Sequence, residues 1–165
     1  MFSGKLVEVR PTVEDQLPLI INIEKTYSDN IGQNNIREHK QFIKKEHKAH
    51  YSVFVKSTEE LIGYFLLDGI DNAIETIELK RIAITHKGKG YGKDTLQIIK
   101  HICFEELDTY SLWLDVFETN NRALNLYASC GFKIIPDMTE WIKHEGIMRK
   151  LLIMKCIKYP YEIAI

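Results

Sequence analysis

Three glycines at alternate positions, Gly88, Gly90 and Gly92, are interleaved with Lys87, Lys89, Tyr91 and Lys93. Upstream lie the β-formers Ile74, Thr76, Ile82 and Ile84; downstream, Leu96, Ile98, Ile99, Ile102, Cys103 and Leu107 recur at helical spacing. The pattern predicts a strand, a tight loop and a helix whose first N–H groups have no partner within the helix. The macrodipole adds partial positive charge at that end, and three lysines surround it, so the fitting ligand is a phosphate. A Walker loop requires G-x-x-x-x-G-K-[ST], but Gly92-Lys93 is followed by Asp94 and Lys87 stands where the first glycine belongs. The dinucleotide pattern G-x-G-x-x-G fails as well, because Lys93 and Thr95 are not glycine.

A second block follows a strand-like run from Ser111 to Phe117. Asn120, Ala123, Tyr127, Gly131 and Phe132 fall in the pattern N-x-x-A-x-x-x-Y-x-x-x-G-F. Together the two blocks resemble the GCN5-related N-acetyltransferase (GNAT) family. The acyl-CoA loop of that family, Q/R-x-x-G-x-G/A, is matched by Lys87, Gly90 and Gly92, with lysine in place of glutamine or arginine. The second block matches at every named position, and the separation of one helix plus one strand also agrees.

The resemblance implies an α/β fold of mixed α+β character: a three-layer α-β-α arrangement around a central mixed, splayed β-sheet, residues 1–165 forming one N-acetyltransferase domain. It implies acetyl-CoA as cosubstrate, no metal, and direct attack of a primary amine in a ternary complex. The backbone of Ile82, Ala83 and Ile84 would pair with pantetheine and supply an oxyanion donor. The loop from Lys87 through Lys89, Gly90, Tyr91 and Gly92 to Lys93 would hold the pyrophosphate, with Asn120 meeting the CoA chain. Tyr127 would protonate the leaving thiolate, a phenol being neutral at pH 7; a core tyrosine is the alternative reading. Glu78 matches a glutamate that serves as base in several family members. It could equally face solvent, pair with Lys80 or Arg81, or bind the acceptor. Glu24, Tyr27, Asp29 and Asn30, between the first two helices, are the acceptor-wall candidates. The competing function is a non-catalytic acyl-CoA-binding regulatory module of the same fold.

The elements that must position these groups are legible in outline. A strand at Leu6 to Arg10 ends at Pro11, and a helix carries Leu17, Ile20, Ile21 and Ile23, with Asp15 expected as its N-cap because Pro18 suits only a first turn. A polar loop precedes a helix over about 36–47, and His39, His47 and His50 are expected along it; His47 and His50 could share a face for a metal, but no carboxylate or cysteine completes a site. Two β-rich runs, Tyr51 to Lys56 and Leu61 to Leu67, read as a hairpin. The glycine-loop strand and the Ser111 strand, joined by a helix, should be parallel. After Phe132 the pattern gives a short strand Lys133 to Ile135, a polar connection from Pro136 to Glu145, and a last strand Ile147 to Ile157.

With 22 basic and 23 acidic residues among 165, the formal charge of −1 gives no footprint for bulk nucleic-acid binding. No apolar run approaches the ~20 residues of a membrane span. Three cysteines without paired spacing read as reduced thiols. A cytoplasmic enzyme acting on a small-molecule or protein amine, away from membrane and nucleic acid and with a homodimer as one option, is the resulting expectation.

Overall fold

The computed structural model describes residues 1–72 and 75–158; Ile74 and the tail from Tyr159 lie outside the described residues. The sheet contains β1 (Phe2–Ser3), β2 (Val7–Pro11), β3 (Lys48–Val55), β4 (Leu61–Asp68), β5 (Thr76–Ile84), β6 (Ser111–Phe117), β7 (Lys133–His144) and β8 (Ile147–Ile157). Its spatial order is β1-β2-β3-β4-β5-β6-β8-β7. Helices α1 (Leu17–Thr26) and α2 (Ile36–Ile43) precede β3; α3 (Tyr91–His101) links β5 to β6, and α4 (Asn121–Ser129) follows β6. Every neighbouring pair of strands is antiparallel except β5 and β6, which are parallel as the crossover helix requires.

Each face of the sheet carries its own core. Leu96, Ile99 and Ile102 pack with Val53, Phe65, Ile77 and Leu112 on the face covered by α3, and Tyr127 and Phe132 join them. Leu17, Ile20, Ile23 and Phe42 pack with Tyr64, Leu66 and Ala83 on the other. The expected three layers are therefore present, with helices on both sides of a mixed sheet.

Several boundaries differ from expectation for local reasons. Glu14–Gln16 forms a 3-10 turn, so α1 begins at Leu17 and Asp15 is not its N-cap; Pro18 does occupy the first turn. Helix α2 is capped by Asn35, whose Oδ1 accepts from Glu38 N at 3.0 Å while Asn35 N donates to Glu38 Oε2 at 2.7 Å. It ends at Ile43, not near residue 47, so of the three histidines expected along it only His39 is helical: His47 lies beyond its end and His50 lies in β3. The expected connection from Pro136 to Glu145 is mostly strand: β7 runs twelve residues, shifts register between Ile134 and Thr139, and meets β8 through Glu145 and Gly146, both at positive φ. As an edge strand exposed along most of its length, β7 has no apolar alternation to betray it, and Pro136 is tolerated within the register shift.

Asp94, in the first turn of α3, fastens the chain's beginning to the glycine loop. Its carboxylate accepts N–H bonds from Lys5 (3.1 Å), Leu6 (2.7 Å) and Val7 (3.0 Å). Removing the acceptor leaves three donors to be satisfied by water in a partly buried turn. Asp94→Ala should lower unfolding free energy by about 1–3 kcal/mol, measured by urea denaturation; an unchanged midpoint would show the turn is held by other contacts.

Candidate active site

Among the described residues, strands β5 and β6 pair at Thr76↔Ser111, Ile77↔Leu112 and Glu78↔Trp113 and nowhere beyond. Beyond Glu78 they part. Strand β6 remains zipped to β8 along its whole length, and β5 to β4 as far as Ile84, so each half of the sheet carries its strand away from the other. The edge of β5 from Leu79 to Ile84 consequently faces an open cleft of about 670 Å³. Buried backbone N–H and C=O groups are costly without partners, and a bound chain rich in amides can supply them.

A register shift on β5 opposite Leu66 and Leu67 decides which side chains enter the cleft from which side. Ile77 and Leu79 lie on the α3 face, and after the extra residue Lys80 so do Ile82 and Ile84. Ala83 packs with the α1 and α2 cluster, and Arg81 reaches α1. The bulge thus keeps an apolar wall toward α3 while turning Arg81 toward the opposite side.

The glycine loop closes one end. Gly88 and Gly90 have φ of 82° and 83°, a left-handed geometry that side chains resist, and Gly90 is the N-cap of α3. A Cβ on Gly92 would sit 3.2 Å from Leu126 Cδ2, so glycine there lets α3 and α4 approach. Lys87, Gly90, Tyr91, Gly92 and Lys93 line the cleft, as do Ile82, Ala83, Ile84 and Asn120; Lys89 does not. Lys87 rests over the Tyr27 ring at 4.5 Å. Asn120 caps α4, accepting from Ala123 N at 3.2 Å.

Tyr127 projects from α4 into the cleft, 8% exposed. Burial, aided by the negative charge of Asp115, pushes its phenol well above the usual tyrosine range, so it stays protonated. Glu78 sits lower, at the last paired position of β5, outside the cleft lining. Its side chain is 17% exposed and accepts from Lys80 Nζ at 3.4 Å, and burial raises its carboxyl above the ordinary value. The carboxylate that does line the cleft is Asp115, two residues beyond Trp113 on β6. It is open to solvent on one side, yet the surrounding protein removes enough water to raise its carboxyl despite the opposing pull of Lys80 and Arg81. Sequence reading missed Asp115. The available signal was its place in an alternating strand as the single charged residue of Ser111–Phe117.

The acceptor-wall candidates separate. Tyr27 and Asn30 line the cleft; Asp29 is exposed beside it, its carbonyl accepting from Arg149. Glu24 is wholly buried, 0% exposed, and outside the lining. Its carboxylate accepts from Arg81 Nη1 (2.7 Å), Asn34 N (2.8 Å) and the Tyr64 hydroxyl, with His39 Nε2 at 3.3 Å. Burial works against its charge, but these partners together hold the carboxyl down to about 2.

Set beside known proteins, residues 18–132 match the profile of the Acetyltransferase (GNAT) family. The chain belongs to this family. It is thereby an N-acetyltransferase by class, and its relatives agree. The Bacillus subtilis (strain 168) protein named "Probable N-acetyltransferase YjcK" is 24% identical over 168 residues, spanning 91% of this chain and 87% of that one. Streptothricin acetyltransferase from Escherichia coli is 30% identical over 89 residues, 54% of this chain and 49% of its own. The spermidine N-acetyltransferase SpeG of Vibrio cholerae, in the structure of a point mutant, superposes with a TM-score of 0.81 at 20% identity, over 94% of this chain and 95% of that one. This last likeness bears on fold.

Acid should weaken the fold through the buried cluster behind the cleft. Burial lowers the His50 imidazole to about 3, so below its unfolded pKa of ~6.5 the unfolded chain binds a proton that the folded chain refuses. Glu24, depressed to about 2, adds a second such proton below ~4.3. Stability is therefore full above about pH 6.5 and should fall by up to ~1.4 kcal/mol per pH unit below it, more steeply once Glu24 joins. Urea unfolding from pH 7 to 4 tests this, and His50→Asn should flatten the upper part of the profile whatever its effect at neutral pH.

Proposed function

We propose that this N-acetyltransferase uses acetyl-CoA and transfers the acetyl group to a primary amine by direct attack in a ternary complex. The observation that carries the reading is the unpaired edge of β5 running straight into the glycine loop. Pantetheine can pair with that edge as an added strand, with a backbone N–H near Ile82 or Ala83 directed at the thioester oxygen. The N-terminal amides of α3, with Lys87 and Lys93, suit the pyrophosphate. Lys89, which does not line the cleft, would act there only through its charge.

The chain's own residues then divide the proton work. Tyr127, neutral and facing the cleft, donates to the departing thiolate. For the amine, Asp115 is better placed than Glu78: it lines the cleft, and its raised carboxyl makes it a stronger base than an ordinary surface aspartate. Glu78 acts at one remove, holding Lys80 beside the floor. Tyr27 and Asn30 shape the acceptor's approach, Asp29 lies at its margin, and Glu24 contributes from behind the wall.

The free thiol of CoA, released on incubation with acetyl-CoA and amines, reads turnover. Tyr127→Phe should lower kcat by about ten- to a thousandfold while calorimetry shows acetyl-CoA binding retained; unchanged kcat would remove the tyrosine from the mechanism. Asp115→Asn should lower kcat at neutral pH by about a hundredfold and recover as pH rises and free amine accumulates, with Glu78→Gln milder. A larger loss from Glu78→Gln would return the base to Glu78. Gly92→Val should abolish acetyl-CoA binding, and wild-type heat would count against the cradle.

A further inference from the structure

The acceptor side of the cleft is walled by two parts of the chain that the split sheet has separated. Tyr27, Asn30 and Gly32, in the turn and loop after α1, stand on the β5 side; Phe117, Ile142 and His144, from β6 and β7, stand on the other. Two hydrogen bonds cross between these walls. His144 Nε2 lies 2.7 Å from the Ser28 carbonyl oxygen, and Arg149 Nη1 donates to the carbonyl of Asp29. A carbonyl only accepts, so the hydrogen of the first bond belongs to Nε2, and the imidazole donates from there whether it is neutral or charged. Among the described residues no other hydrogen bond or ion pair joins the turn to the β7–β8 hairpin.

Strand register explains why the two donors sit together. Phe117 is opposite Leu151, and Arg149, two residues from Leu151, is opposite Ile142. Alternation therefore puts Ile142, His144 and Arg149 on the same face of the sheet as Phe117. The His144 ring packs 5.0 Å from the Phe117 ring, and the Arg149 guanidinium lies 4.8 Å over it. One buried ring thus orients both donors.

The turn is compact in itself, since Asn30 N and Ile31 N both donate to the Tyr27 carbonyl, at 3.0 and 3.1 Å. Its other flank meets the glycine loop, where Lys87 Nζ lies 4.5 Å from the centre of the Tyr27 ring. Lys87 follows the end of β5, and Phe117 ends β6. The turn consequently spans the cleft where the two strands have moved away from their pairing at 76–78.

We propose that His144 and Arg149 are positioning residues for the acceptor. They hold the turn at Ser28 and Asp29 across the cleft, so that Tyr27 and Asn30 close on an amine aligned with Asp115 and Tyr127. The proposal rests on the acetyl-transfer reading of the cleft. Both side chains act through the turn, and the glycine loop that would hold the donor does not depend on them.

Two double variants test it. His144→Leu with Arg149→Met removes both donors, whereas His144→Gln with Arg149→Lys keeps an N–H at each place. In the first, amide hydrogen exchange at Asn30 and Ile31 should quicken by about tenfold or more. With the most rapidly acetylated of spermidine, L-lysine, phenethylamine and ethanolamine as acceptor, the KM for the amine should rise by about ten- to a hundredfold. Over the same comparison kcat should stay within about threefold, and acetyl-CoA affinity by calorimetry should be unchanged. The donor-keeping variant should restore exchange and KM toward wild type, which lost packing on Phe117 would not allow. Each single substitution carries part of the shift should the first double variant not fold. Unchanged exchange would overturn the clasp, and faster exchange with unchanged KM would overturn its role. An equal rise of KM in the donor-keeping variant would do the same. Wild-type protein that binds acetyl-CoA and acetylates none of these amines would overturn the positioning role and leave the donor half of the cleft standing. No acetyl-CoA binding would defeat both.

Discussion

The site depends on a parting of two parallel strands. Among the described residues three pairs hold β5 to β6, and past Glu78 each strand follows its outer neighbour instead. A sheet that splits in this way exposes main-chain donors and acceptors in its own middle, which a stable fold ordinarily avoids. Strong pairing on the outer sides offsets the loss. Strand β6 makes seven pairs with β8, and β5 is bound to β4 to its end, helped by Gly63, where a Cβ would fall 2.3 Å from the Ala83 carbonyl.

From the split follow the positions of the chemical groups. The bulge at Lys80 is a second device in the same strand, since one extra residue changes which face every later side chain occupies. Without it Arg81 would point into the α3 core and Ile82 toward the buried cluster around Glu24. With it the cleft receives an apolar wall on one side and a guanidinium on the other. Asp115 enters from β6 and Tyr127 from α4, so the candidate proton carriers belong to the half of the molecule that has swung away from β5.

The α1 and α2 layer supports the acceptor side by polar means as much as by packing. Buried charge is tolerated there because Arg81, Tyr64 and Asn34 all donate to the Glu24 carboxylate. Such a cluster is rigid, and it fixes Arg81 more firmly than an exposed lysine or arginine could be fixed. The same interactions withdraw Glu24 from the cleft, although its type and place in the chain marked it as a cation-binding candidate.

Much was legible in the residues themselves. Alternate glycines followed by helical periodicity gave the loop and α3; the asparagine-to-phenylalanine block gave α4 with its cap; the length and ordering of the central elements gave parallel β5 and β6. These are local properties, set by φ preferences, side-chain periodicity and capping chemistry within a few residues. Other features arise only between distant segments. That Glu24 is buried against Arg81, that His39 and His50 touch, that Asp115 rather than Glu78 lines the cleft, and that 136–144 extends an edge strand all depend on register, burial and a one-residue bulge. A charged side chain looks the same in sequence whether it faces solvent or a buried partner, and only the packed sheet determines which neighbour it meets.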